Sequence, residues 1–223
     1  RQNVFSTDSV FNLNNNLSYL SELDREELKN ITYEQFYSKE ISVFLKTNLK
    51  EINKEKLGEF LCGSKNFNQK VLESFVESYN FKNFHILEAM RALFSDFNLV
   101  GEGQIVDRVV KFFGQKYHKD NPLIYKIPDV AYYLAFSIML LQTDLHRTEV
   151  DKKMSPQVFI NNFNLVCKDG VEEEYLIDVY NRVLTDPLRF PGQKFSMNKN
   201  KKDYIKLEKE SIMKSTYEEL HIK

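Results

Sequence analysis

A chain of 223 residues and 26.4 kDa suits one large domain, or one domain with a tail, and can bury a sizeable core without staples. Hydrophobic residues at 42% and charged residues at 28% describe a globular chain, and 31 Lys and Arg against 32 Asp and Glu, a net charge of -1, exclude a strongly basic nucleic-acid binder and a polybasic membrane anchor. Two cysteines, Cys62 and Cys167, make neither a disulfide framework nor a four-thiolate zinc site and suit a reducing compartment, while 7 Gly and 5 Pro leave too few turns for a sheet-rich fold.

The chain begins at Arg1 rather than Met and has no apolar leader with a small-residue cleavage site. It therefore reads as a piece of a longer protein without a secretory signal. Apolar spacing is helical almost throughout, and about ten helical segments are predicted between Asn12 and Leu184. Gly63 closes a segment carrying Leu57, Phe60 and Leu61. Val71, Leu72, Phe75, Val76 and Tyr79 form one stripe, and Ile86, Met90, Leu93 and Phe97 a second. Val106, Val110, Phe113 and Tyr117 form a third. Asn121-Pro122 and Ile127-Pro128-Asp129 break the chain before an apolar run from Val130 to Leu141. That run is shorter than the roughly 20 residues a bilayer requires and is predicted as a helix buried on all sides. Ser155-Pro156 reads as an N-cap with proline at the first helical position. Asp169-Gly170 is a turn, after which Glu172, Glu173 and Glu174 open a helix with the face Leu176, Val179, Tyr180 and Val183.

Pro187, Pro191 and Gly192 mark a boundary, giving a domain over 1–190 and a polar, Lys-rich tail over 191–223. Leu207, Ile212, Met213, Tyr217 and Leu220 fit a thin amphipathic helix in that tail, and a partly ordered tail fits equally well.

The motifs of common enzymes are missing. No phosphate-binding G-x-x-x-x-G-K-[ST], no G-x-G-x-x-G, no H-E-x-x-H, no C-x-x-C and no G-x-S-x-G occurs. His85, His118, His146 and His221 each lack a second His or Cys at metal-ligand spacing, so neither a metal nor a cofactor is expected. Two features stand out. Gly101 and Gly103 flank Glu102 in a short link between helical stripes, which predicts a tight hairpin with a carboxylate at its tip. By its residues alone that carboxylate reads first as a solvated surface charge. The second feature is the run Tyr132, Phe136, Ser137, Met139, Leu140 and its polar exit Gln142-Thr143-Asp144-Leu145-His146. An apolar helix ending in a polar cluster is either core plus cap or one wall of a groove, and the spacing fits both.

Phe97-Asn98-Leu99-Val100-Gly101-Glu102-Gly103-Gln104-Ile105-Val106-Asp107-Arg108 resembles the motif F-R-L-P-G-E-A-Q-K-I-D-R. Ala135-Phe136-Ser137-Ile138-Met139-Leu140-Leu141-Gln142-Thr143-Asp144-Leu145-His146 resembles A-Y-S-I-I-M-L-N-T-D-L-H. These are the signature motifs of the Sec-seven domain, the catalytic domain of Arf guanine-nucleotide exchange factors. The likeness runs from about Phe11 to Pro187 and takes in Val71 to Val76 and Met154 to Ile160.

The resemblance implies an all-α, right-handed array of about ten helices with an apolar groove in its C-terminal half. The groove would take an Arf-family small GTPase, GDP-bound or nucleotide-free, and Glu102 would be a glutamate finger entering its nucleotide site. Tyr132, Phe136, Ser137, Met139, Leu140, Asp144, Arg147 and Met154 would line the groove, with Val100, Gly101 and Gly103 in the finger loop. No covalent chemistry is implied, and contact with membranes would run indirectly through Arf.

The inhibitor brefeldin A would share this interface. Sensitive members of the family carry Tyr-Ser, Asp and Met at four positions, and resistant members Phe-Ala, Ser and Pro. Phe136, Ser137, Asp144 and Met154 match the sensitive pattern at three of them, which implies partial sensitivity. Phe195-Ser196-Met197 and Glu208 to Lys214 look like the segment that follows this domain in the large Golgi exchange factors. The resemblance thereby implies a cytoplasmic protein at Golgi membranes, acting in vesicle trafficking.

The sequence departs from the pattern as well. Val100 stands for Pro and Gly103 for Ala, which loosens the Glu102 loop. Ile105 stands for Lys, Gln142 for Asn and Arg147 for Asn, which alters the rim of the groove. A helical domain that binds a GTPase with little or no exchange is therefore the second reading.

Overall fold

One-sided apolar stripes oblige each segment to pack against another, and they do so as helices. The computed structural model describes residues 31–99, 103–125, 127–146, 152–168 and 170–191. Among these there are eight helices and no strand. In chain order they are α1 (Ile31–Thr47), α2 (Lys54–Leu61), α3 (Asn66–Glu77), α4 (Ile86–Phe94), α5 (Gly103–Asp120), α6 (Pro128–His146), α7 (Pro156–Val166) and α8 (Glu173–Thr185). The expected all-α class holds. The helices expected before Ile31, and the tail helix, lie outside the described residues. Those residues all fall in the unit Arg1–Gly192.

The caps follow the local chemistry. The Asn53 side chain accepts from the N–H groups of Glu55 and Lys56 and starts α2, which ends at Cys62 just before Gly63. His85 and Glu88 form a reciprocal capping box on α4. Ser155 caps α7, with Pro156 as its first residue, as expected. Glu172 is the N-cap of α8 rather than part of its first turn, and Glu173 and Glu174 supply the first-turn carboxylates.

The stripes of α3, α4 and α8 are fully inside. Phe75, Phe94 and Phe97 meet in tilted and edge-to-face pairs, and Phe81, Phe113 and Tyr117 extend the cluster. On α5, Val110, Phe113 and Tyr117 are buried, but Val106 is only half-buried. Both cysteines are buried, and neither is in a disulfide. Buried Asn121 donates to the carbonyl of Phe81 and accepts from the N–H of Asn83, closing the loop ahead of α4 onto the end of α5. The chain packs beyond Pro187, because Leu188 and Phe190 are buried and the Phe190 ring lies 5.3 Å from that of Phe94.

In the C-terminal half α5 and α6 approach closely at Gly114. A Cβ placed on Gly114 would lie 2.6 Å from Cα and 2.7 Å from N of Tyr132. A side chain there has no flexible neighbour to displace, only backbone. Gly114→Ala is therefore expected to cost about 1–3 kcal/mol by forcing the two helices apart. Urea denaturation checks this, and an unchanged midpoint would refute the contact.

Candidate functional site

The helix α6 is not buried on all sides, which corrects the expectation drawn from its composition. Val130, Ala131, Leu134, Ala135, Ile138, Leu141, Gln142 and Leu145 face the interior. On the other side, Leu140 is 55% exposed, and Tyr132, Tyr133, Phe136, Ser137 and Met139 are half-buried. Positions 132, 136, 139 and 140 recur at helical spacing, so the side chains share one face. The core takes one stripe of an apolar helix and leaves another open.

Tyr132 is held on that open face by a hydrogen bond from its phenol to the carboxylate of Asp107 on α5. The bond, and secondarily burial, push the phenol up to about 12, so it stays a neutral donor at physiological pH. Its ring stands 5.1 Å from that of Tyr133 and 6.3 Å from that of Phe136. Asp107 belongs to the first motif, but its place there does not announce this bond. Nothing local signals a partner 25 positions along the chain.

The polar exit of α6 is a set of tethers. Gln142 is buried; its carbonyl oxygen accepts from the N–H of Leu188 at 2.9 Å and its amide donates to the Leu188 carbonyl at 3.4 Å. The carboxylate of Asp144 accepts from the N–H of Met154 at 2.6 Å, and Lys153 Nζ donates to the Asp144 carbonyl. Tyr180 OH donates to the carbonyl of Met154 at 2.7 Å. The His146 ring Nε2–H donates to the Val183 carbonyl in the last turn of α8, at 2.8 Å. Gln142 therefore does not belong to the groove rim, as its replacement of Asn had suggested. It points inward and fastens the segment after α8.

Gly103 is the first residue of α5, and a Cβ there would meet nothing within 4 Å. Val100, Gly101, Glu102 and Arg147 lie outside the described residues. The structure brings Tyr132, Phe136, Met139 and Leu140 onto one helix face, leaves Ser137 half-buried at the margin of that face, and sets Met154 beside Asp144 at the end of the helix. Among the described residues no group of His, Cys, Asp or Glu is placed to hold a metal. Nor is any helix among them long and apolar enough to cross a membrane.

A family model described as the Sec7 domain matches residues 11–188. The chain belongs to the Sec7 domain family. It is 36% identical over 152 residues to Brefeldin A-inhibited guanine nucleotide-exchange protein 3 of Arabidopsis thaliana, which covers 67% of this chain and 9% of that protein. It is 30% identical over 172 residues to the ankyrin repeat, PH and SEC7 domain containing protein secG of Dictyostelium discoideum, covering 75% of this chain and 17% of that one. The chain spans under a fifth of the length of either relative.

Among solved structures, it resembles a Sec7 domain complexed with ARF1-GDP and brefeldin A. That likeness has a TM-score of 0.63 and 29% identity, over 69% of this chain and 78% of the other. It also resembles the catalytic domain of Sec7p, with a TM-score of 0.65 and 25% identity, over 84% of this chain and 99% of the other.

The tether at Met154 makes a substitution there more than a change of side chain. Met154→Pro removes the N–H that Asp144 accepts and leaves a carboxylate oxygen short of a partner. It is expected to cost about 1–3 kcal/mol of stability, whereas Met154→Ala keeps the bond and costs less. Thermal melts of the two variants side by side check this, and equal losses would refute it.

Proposed function

We propose that this Sec7 domain catalyses GDP release from an Arf-family small GTPase, and that Glu102 acts as a finger on the GTPase's nucleotide site. The observation that carries the reading is the open apolar face of α6, Tyr132, Phe136, Met139 and Leu140, on a helix whose opposite face is core. Exposed aliphatic and aromatic side chains gathered on one face favour a protein partner. Family membership and the names borne by the relatives, brefeldin A-inhibited guanine nucleotide-exchange proteins among them, support an Arf-type GTPase as that partner.

Glu102 immediately precedes α5, whose neighbour α6 carries the apolar face. A carboxylate about 4 Å from a phosphate charge, at an effective dielectric of about 20, costs the nucleotide complex roughly 4 kcal/mol. That is nearly three decades of affinity. The carboxylate also competes for the cations, Mg²⁺ and a lysine, that hold the phosphates. Nucleotide leaves because its complex is destabilised, and no covalent bond is made or broken. The large brefeldin-inhibited class is favoured, and action at Golgi membranes through Arf follows from it.

Glu102→Lys places attraction where repulsion is required. It is expected to abolish release of a fluorescent GDP analogue from Arf while keeping the complex with GDP-bound Arf. Release at the native rate would remove Glu102 from the mechanism. Leu140→Ala, at an exposed position, is expected to weaken Arf binding by about 1–3 kcal/mol with little change in melting. An unaltered titration would take Leu140 out of the interface.

Brefeldin A is expected to inhibit partially, since Phe136 lacks the hydroxyl of the sensitive pattern. The missing hydrogen bond is worth roughly 0.5–1.5 kcal/mol, so Phe136→Tyr should increase sensitivity by about tenfold or less. Complete resistance of the native chain, unrelieved by Phe136→Tyr, would show that the groove differs from that of sensitive members.

A further inference from the structure

The tip of a loop is placed no better than its root, and the root of the Glu102 loop is unusually well anchored. After α4 the chain runs through Ser95, Asp96, Phe97 and Asn98 toward Glu102. Phe97 is fully buried, with its ring edge-to-face on Phe75. The Asn98 N–H donates to the carbonyl of Lys54 at 3.0 Å, and Lys54 Nζ donates to the carbonyl of Ser95 at 2.6 Å. Gly58 leaves room for the Asn98 carbonyl, which would otherwise lie 1.8 Å from a Cβ.

These contacts hold the main chain or an apolar ring. Asp96 is different, because two groups from separate parts of the chain converge on a single oxygen of its side chain. Lys46 Nζ of α1 reaches Oδ2 at 2.8 Å, and Tyr79 OH, just beyond α3, donates to the same oxygen at 2.5 Å. The Lys46 ammonium also stands 3.2 Å from the centroid of the Tyr79 ring and 5.4 Å from that of Phe75. Lys46 and Asp96 are largely shielded, with side chains 30% and 21% exposed. Burial lowers the Lys46 pKa, and the bond to Asp96 opposes that shift.

We propose that Asp96, gripped by Lys46 and Tyr79, is a positioning residue that fixes the direction in which the chain leaves the core toward Glu102. The inference rests on the exchange reading given above. Val100 in place of Pro and Gly103 in place of Ala deprive the loop of two stiff residues. The clamp restrains the chain at Asp96, six positions ahead of Glu102. It joins α1, the end of α3 and the end of α4, so it ties the N-terminal helices to the placement of the finger.

The test uses the 223-residue chain carrying Asp96→Asn, which keeps an acceptor for Tyr79 and removes the charge that Lys46 requires. Three readouts are taken: kcat and KM for nucleotide release from Arf, the thermal melt, and amide hydrogen exchange over residues 97–106. The variant is expected to lose about 10–100-fold in kcat with KM little changed, as for a displaced reacting group. It should also exchange faster over 97–106. Adding Val100→Pro, which stiffens the loop by another route, should recover kcat without restoring the melt.

A lower melt with kcat and hydrogen exchange unchanged would overturn the proposal and leave the cluster purely structural. Failure of Val100→Pro to recover kcat would also overturn it. If the native chain and Glu102→Lys release nucleotide alike, the exchange reading fails. The hydrogen-exchange arm then decides the clamp by itself: protection lost over 97–106 upholds it, and protection unchanged overturns it.

Discussion

The contact between Gly114 and the backbone of Tyr132 governs the C-terminal half of the molecule. With no side chain between them, α5 and α6 approach until backbone meets backbone, and the rotation of α6 about its axis is fixed. Once fixed, one stripe of α6 is committed to the interior shared with α7 and α8, and the stripe from Tyr132 to Leu140 is left facing out. Leaving a leucine-sized side chain in water forfeits up to about 1.5–3 kcal/mol of burial. A partner that covered the face would recover part of that energy. The phenol of Tyr132 bonded to Asp107 reinforces the register from the outer side.

Much of the fold was legible because most helices here have one apolar face and one solvated face. The stripes through Val71 to Tyr79, Ile86 to Phe97 and Leu176 to Val183 are buried where the spacing placed them, and Ser155-Pro156 starts a helix as its chemistry requires. The expectation of burial on all sides failed on α6, where the spacing fitted a groove wall as well, because an apolar residue looks the same in a sequence whether it faces the core or the surface. Val106, in the first turns of α5, is only half-buried and packs at the edge of the core.

The roles of Gln142, Asp144 and His146 were illegible for a different reason. Their partners are main-chain atoms at Leu188, Met154 and Val183, up to 46 positions away, and no side-chain pattern announces them. Knowledge of the site came from resemblance to two motifs rather than from periodicity. The structure adds that the two motifs do different work. The second combines an open apolar face with an inward-turned polar end, so a substitution such as Gln142 for Asn changes how the frame is fastened and not what the rim offers. The first stands between a firmly packed root, through Phe97 and Asn98, and a helix start at Gly103 where the surroundings are open.

Those tethers have a consequence for how the sequence can drift. A side chain that grips another side chain obliges both positions to change together. Gln142, Asp144 and His146 grip peptide groups, which every residue possesses, so Leu188, Met154 and Val183 owe them nothing in side-chain identity. Proline at 154 or 188 would forfeit the bond to Asp144 or Gln142, since it alone lacks an N–H. Three of the side chains that fasten the end of α6 thus lie within a single turn and a half of helix, and Tyr180 adds a fourth from α8. At Leu188, Met154 and Val183 the side chains are left to answer to their own packing.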